Sequence, residues 1–318
     1  MSNSTELSSP AEGPESRPAE RGQRWERFTG PNGLWMAAAA FLIWGIVIPF
    51  IPVPVRHVPI LAPLAVYAAA TVAFMFLQVW LLWSLVAYDR ASSKGWQIAI
   101  AGLVTWVVLL AGANLAERAM MRGANISPHL LFLVSPLTNV AASFALGFAG
   151  ARLSRFIKEA KILLPITVVA GIVDVVGAMS NIGFTSNVIK HIPKAVPMVS
   201  IAPPTFGHLP PMATVGPGDV LFLCFFYSIV QRFGMNGRGT FWVTFVLLSL
   251  TMLAVNIGPP SLRIAALLPM GLGMVIANFR YFKYTREETF AMIYAGIIVL
   301  AGAALFFVMT NRYVFHQR

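Results

Sequence analysis

Nine apolar stretches, each long enough to cross a bilayer as a helix, occupy most of the 318-residue chain, at 34–51, 60–87, 96–113, 126–150, 162–180, 213–231, 240–258, 262–279 and 289–310. About 20 apolar residues of helix span the hydrocarbon. Every backbone N–H and C=O must find its partner inside the chain there, which leaves only helices or closed barrels. The stretches lack the alternation of polar and apolar residues that a barrel strand needs, so helices are expected. At 57% hydrophobic and 11% charged residues, a water-soluble domain is excluded. The expected fold is all-α, a polytopic transmembrane bundle of about nine spans.

Residues 1–33 are rich in Ser, Pro, Glu and Arg and lack the apolar core of a signal peptide, so they read as a disordered tail. Helices of 34–158 form an N-terminal half, 159–280 a second unit, and 281–318 an additional helix. The net charge of +11 comes from 23 Lys and Arg scattered over short connections. That distribution fits lipid headgroups and topology, not nucleic acid. Most of these cations fall on the side of the N-terminus, which predicts a cytoplasmic N-terminus in a plasma membrane of the bacterial inner-membrane type. The single cysteine, Cys224, lies inside an apolar stretch and is expected to pack as a small hydrophobe.

The acids carry the functional signal. Asp89 sits beside Arg90 and Lys94 and reads as a solvated loop residue. Asp174, in ILLPITVVAGIVDVVGAMS, and Asp219, in TVGPGDVLFLCFFYSIV, are the only acids inside the nine stretches. A charge at mid-bilayer costs about 2.5 kcal/mol or more, and such residues face a partner or a cavity. Pro217, flanked by Gly216 and Gly218, has no N–H and clashes with a preceding turn, so a helix is expected to begin close to Asp219. Irregular backbone at that depth implies a polar cavity beside the acid. Gly171 and Gly177 bracket Asp174 and allow close helix approach.

The GIVD, GPGD and downstream ALLP segments together resemble the intramembrane aspartyl proteases that include presenilin and signal peptide peptidase, as a divergent, prokaryote-type member. That family places one Asp in a span, a second in Gly-x-Gly-Asp opening the next, and a Pro-Ala-Leu motif two spans later. Here Asp174 and Asp219 match the acids, Gly216, Pro217 and Gly218 the glycine motif, and Ala266, Leu267, Leu268 and Pro269 the third segment. Val173 stands where the family carries an aromatic residue, and Ala266 and Leu267 replace the leading Pro and Ala. The likeness covers about residues 160–280.

The resemblance implies a presenilin-like core that hydrolyses peptide bonds in transmembrane segments of other proteins, without metal or cofactor. Two carboxylates within hydrogen-bond reach in a site of low dielectric share one proton. The ionised member takes a proton from water while the other donates to the peptide carbonyl. Either Asp can be the base. ALLP would present backbone groups to an extended substrate by strand addition, with Leu268 as a packing contact. The Pro-rich loop 181–213 reads as a surface connection or a gate.

Two other classes stay open. A proton- or cation-coupled transporter could use Asp174 and Asp219 as ion ligands at a broken helix, although the sequence has no internal repeat. A presenilin-like protein without catalysis is the third reading. A zinc protease is disfavoured because no H-E-x-x-H occurs and His57, His129, His191, His208 and His316 are dispersed. The sequence leaves the oligomeric state open.

Overall fold

The computed structural model describes residues 29–51, 61–122, 128–179, 200–201, 203–204, 213–258 and 264–315. Nine α-helices lie among them: α1 (Gly33–Val47), α2 (Leu61–Ala91), α3 (Gly95–Met121), α4 (Pro128–Leu153), α5 (Leu163–Met179), α6 (Pro217–Arg232), α7 (Gly237–Ile257), α8 (Leu267–Asn278) and α9 (Arg286–Phe315). The described residues contain no β-strand, only one isolated antiparallel bridge between Ile201 and Val215. Residues 1–28 of the expected tail lie outside this set, and Thr29 is buried just ahead of α1. The 181–213 loop is outside it too, apart from Ser200, Ile201, Pro203, Pro204 and Ala213.

Five segments are long and apolar enough to cross a membrane: Gly33–Phe50, Leu64–Ala91, Gly95–Met120, Val134–Phe156 and Gly237–Ile257. They coincide with five of the nine predicted stretches. The helices bearing Asp174 and Asp219 are shorter, 17 residues in α5 and 16 in α6, and α8 has 12. At 1.5 Å per residue α8 is only about 18 Å long.

The core is built where α2, α4 and α6 meet. Leu81, Leu82 and Leu85 of α2, Phe148 of α4, and Tyr227, Ile229 and Val230 of α6 are fully enclosed. Cys224 is buried among them, as expected of a small hydrophobe. A Cβ on Gly150 would lie 2.1 Å from the Leu221 carbonyl oxygen, so only glycine permits this approach of α4 to α6. Helix α3 packs chiefly on α4 and α9 chiefly on α5. Their outer faces are apolar: Val104 and Val108 of α3 and Ile297 and Ile298 of α9 are all exposed. A surface of this kind suits hydrocarbon, because packing in lipid does not depend on hiding apolar side chains.

Side-chain bonds gather the helix ends that carry charge. Asp89 accepts from Arg152 at 3.0 Å and from Arg155 at 3.1 Å, which joins the C-terminal ends of α2 and α4. The Gln231 amide donates to the Trp83 carbonyl at 3.2 Å and brings the end of α6 alongside. Asn278 at the end of α8 accepts from the Asn236 N–H at 2.9 Å, at the start of α7. Lys161, ahead of α5, pairs with Glu288 of α9. Consecutive helices therefore alternate in direction, and one end of the bundle collects the charges.

The expectation for Asp89 is corrected. It belongs to the last turn of α2, not to a loop, and is 5% exposed. Its neighbours in sequence, Arg90 and Lys94, suggested solvent; its partners come instead from α4 and the turn after it, 63 and 66 residues away.

Lys161 and Glu288 set a pH window for α9. The Glu288 bond, then Glu159, raises the Lys161 pKa, while the Lys161 bond, then the Thr285 N–H, holds Glu288 below the ordinary carboxylate range. Glu288 therefore contributes above the ordinary glutamate value and is lost as pH falls through its lowered one. Lys161 contributes below the ordinary lysine value and is lost as pH rises through its raised one. The α5–α9 distance, followed by paired fluorescent labels across a pH series, should lengthen at the acid end, and Lys161→Gln should abolish that dependence. Separately, Gly150→Val should lower stability by about 1–3 kcal/mol or more through overpacking, read as a fall in the thermal unfolding midpoint.

Candidate functional site

Backbone chemistry decides where α6 starts. Gly216, with φ −68° and ψ 153°, is the extended N-cap, Pro217 opens the helix where its missing N–H costs nothing, and Asp219 follows in the first turn. The Gly216 N–H donates to Asp219 Oδ2 at 3.0 Å. Asp219 thus stands at the positive end of the α6 dipole, which favours a carboxylate. Helix initiation at the Gly-Pro-Gly stretch agrees with the sequence reading, two residues earlier than Asp219 itself.

The chain ahead of α6 is pinned. Val215 and Ile201 exchange two backbone hydrogen bonds of 2.9 Å, and the Ala213 N–H donates to Asn256 Oδ1 at 2.7 Å. The Asn256 amide in turn reaches Thr71 Oγ1 at 3.3 Å. Neither Asn256 nor Thr71 was singled out from the sequence. An Asn near the end of an apolar run was the available signal, since a polar group there needs a partner.

Asp174 lies eleven residues into α5, half-buried, and accepts the Leu267 N–H on Oδ2 at 2.8 Å. Leu267 is the first residue of α8 and Ala266 its N-cap. The GIVD and ALLP segments are therefore joined by a hydrogen bond between residues 93 apart. Asp174 also sits at a helix N-terminus, that of α8. Gly271 makes the approach possible: a Cβ there would fall 2.3 Å from Thr167 Cγ2 of α5. Leu268 lies 3.6 Å from the position of a Cβ on Gly171 and is 44% exposed.

The ALLP geometry refines the strand-addition idea. Leu267, Leu268 and Pro269 form the first turn of α8, and the Leu267 N–H is already engaged. Ile264 and Ala265 precede the helix and lie outside any regular element.

No hydrogen bond joins the two acids to each other among the described residues. Each uses one oxygen for a backbone donor, and among the described residues no hydrogen bond reaches Oδ1 of either. No Lys or Arg pairs with them among the described residues. Nor does any group of three or more His, Cys, Asp or Glu gather as a metal centre among those residues. A Cβ on Gly218, which is exposed, would meet nothing within 4 Å among the described residues. Val173, where an aromatic residue was the comparison, is 63% exposed. Each carboxylate thus accepts one backbone N–H at a helix start and has no ion pair among the described residues.

Comparison with protein-family models, with curated proteins and with solved structures finds no match to the chain.

Gly218→Ala should keep the unfolding midpoint or stabilise the fold by up to about 1 kcal/mol, because alanine is the better helix residue and its methyl meets no neighbour. A clear fall in the midpoint would mean that the space beside Asp219 is occupied in the folded protein.

Proposed function

We propose that the protein is an intramembrane aspartyl protease in which Asp174 and Asp219 form the catalytic pair. The observation that carries this reading is the Leu267 N–H to Asp174 hydrogen bond. It ties the third segment of the resemblance to the first, and Asp219 stands in the first turn of α6 at the second. In this reading the nine helices cross a plasma membrane with the N-terminus in the cytoplasm, and the 159–280 unit is the presenilin-like core.

Backbone N–H groups engage Oδ2 of each acid, and in this reading the two Oδ1 atoms act on a water and a peptide carbonyl. One carboxylate takes the proton of the water and its protonated partner polarises the carbonyl; collapse of the gem-diol returns the proton to the leaving amine. A transmembrane segment of another protein is the substrate. It must unwind, because helical carbonyls are engaged by the helix ladder, and it meets Leu268 at the exposed side of α8.

A specific feature favours a second reading. Both acids stand at helix N-termini, an arrangement that also suits ion binding in a coupled transporter.

Purified protein in neutral-lipid vesicles, given a panel of single-span substrates, separates the two. Asp174→Asn and Asp219→Asn should each reduce cleavage by at least about 10²-fold, with substrate capture retained. The wild-type rate should show a bell-shaped pH profile, since both the doubly protonated and the doubly ionised pair are inactive. Equal cleavage by all three proteins would dismiss the protease. Cation or proton uptake lost with either substitution, without cleavage, would establish the transporter.

A further inference from the structure

The charged end of the bundle holds a cavity of about 260 Å³ whose lining includes Asp89, Arg90, Arg155, Gln231 and Arg232. Counting about 1.5 Å per residue from Asp219 to Arg232, it lies roughly 20 Å along α6 from the acid pair. It is thus a separate site. Three guanidiniums and one carboxylate line it, and that carboxylate is fully committed: Asp89 gives one oxygen to Arg152 and the other to Arg155.

Arg90 and Arg232 find no carboxylate among the described residues. Arg90 donates to the Gln231 carbonyl and Arg232 to the Ile157 carbonyl. Arginine at a helix C-terminus caps carbonyls by this means, and the dipole there favours a cation. A carbonyl orients a guanidinium but does not neutralise it, and most of its five N–H donors remain. Burial, followed by the nearby Arg155 charge, lowers the Arg232 pKa from its ordinary value. The cluster is short of negative charge.

A tetrahedral anion matches this deficit. Guanidinium forks pair with phosphate oxygens through two parallel N–H donors. The volume falls below the range of about 300–1,000 Å³ typical of drug-sized ligands, and suits a headgroup or a small anion. Val86 supplies an apolar wall. We propose that this cavity binds a phosphate group, carried either by the headgroup of an anionic lipid or by a soluble phosphate. The buried Asp89 is the positioning residue: it fixes Arg152 and Arg155, and Arg90, Arg155 and Arg232 meet the ligand.

The full-length protein in neutral detergent, titrated with short-chain phosphatidylglycerol, short-chain phosphatidylcholine or inorganic phosphate, tests the site through the thermal unfolding midpoint. Phosphatidylglycerol should raise the midpoint saturably and phosphatidylcholine should not. Phosphate acting alone, with phosphatidylglycerol inert, would assign the site to a soluble anion; both results support the phosphate reading. Arg90→Gln should weaken the half-saturating concentration by about tenfold, the loss of one charge-assisted bond. Arg155→Gln should do the same where it folds. Arg280→Gln, whose guanidinium lies over the Phe279 ring and outside the cavity lining, should not. The proposal is overturned if no phosphate compound shifts the midpoint, if the two lipids shift it equally, or if Arg90→Gln and Arg280→Gln behave alike.

Discussion

A carboxylate placed among apolar helices must be met by donors, and here the donors are backbone N–H groups at helix beginnings. Asp219 is served by the Gly216 N–H ahead of α6, and Asp174 by the Leu267 N–H that opens α8. A helix has spare N–H groups only in its first turn. Two helices therefore have to begin at the level of the acids, and both α6 and α8 are short. The interruption before α6 is held in place by the Val215–Ile201 bridge and by Asn256. With backbone dipoles as their partners, the acids are free of ion pairs among the described residues, which is the state that acid–base work or ion binding both require.

The rest of the bundle can be understood as support for that level. Helices α2, α4 and α6 pack so closely that Gly150 admits no side chain against Leu221. Their ends are tied by Asp89 with Arg152 and Arg155 and by Gln231 with Trp83. Removing one partner from a buried ion pair leaves a charge without compensation, a loss of about 3–5 kcal/mol where both members are enclosed. Arg155 is half exposed, so most of the rigidity comes from Arg152. In this way the charged end fixes α6 from below, while glycines and backbone bonds fix it at the acids. The α5–α8 pair is positioned separately, by Gly271 against Thr167.

Electrostatic roles are divided along the bundle axis. At the inner level, two acids lie near helix N-termini. At the charged end, arginines lie near the C-termini of α2, α4 and α6, where the dipoles favour cations. The same rule thus places acids inside and an anion-seeking cavity at the end. Under the proposed reading, hydrolysis and headgroup binding occupy opposite ends of α6 and share no residue.

Long apolar runs without the polar–apolar alternation of barrel strands determined by themselves that the described chain is helical, because only helices and closed barrels satisfy a backbone in lipid. Local chemistry was equally legible: Gly-Pro-Gly announced the start of α6 next to Asp219, and Cys224 announced a packed thiol. These are properties of neighbours in sequence. The role of Asp89 was not legible, since Arg90 and Lys94 beside it pointed to solvent while its partners, Arg152 and Arg155, arrive with another helix. The bond from Leu267 to Asp174 was hidden for the same reason, a backbone donor having no signature in side-chain pattern. Asn256 and Thr71, from α7 and α2, hold the segment before α6 through contacts no spacing rule encodes. Which groups meet across 43 to 185 residues depends on how helices stack, and only the tertiary structure decides that.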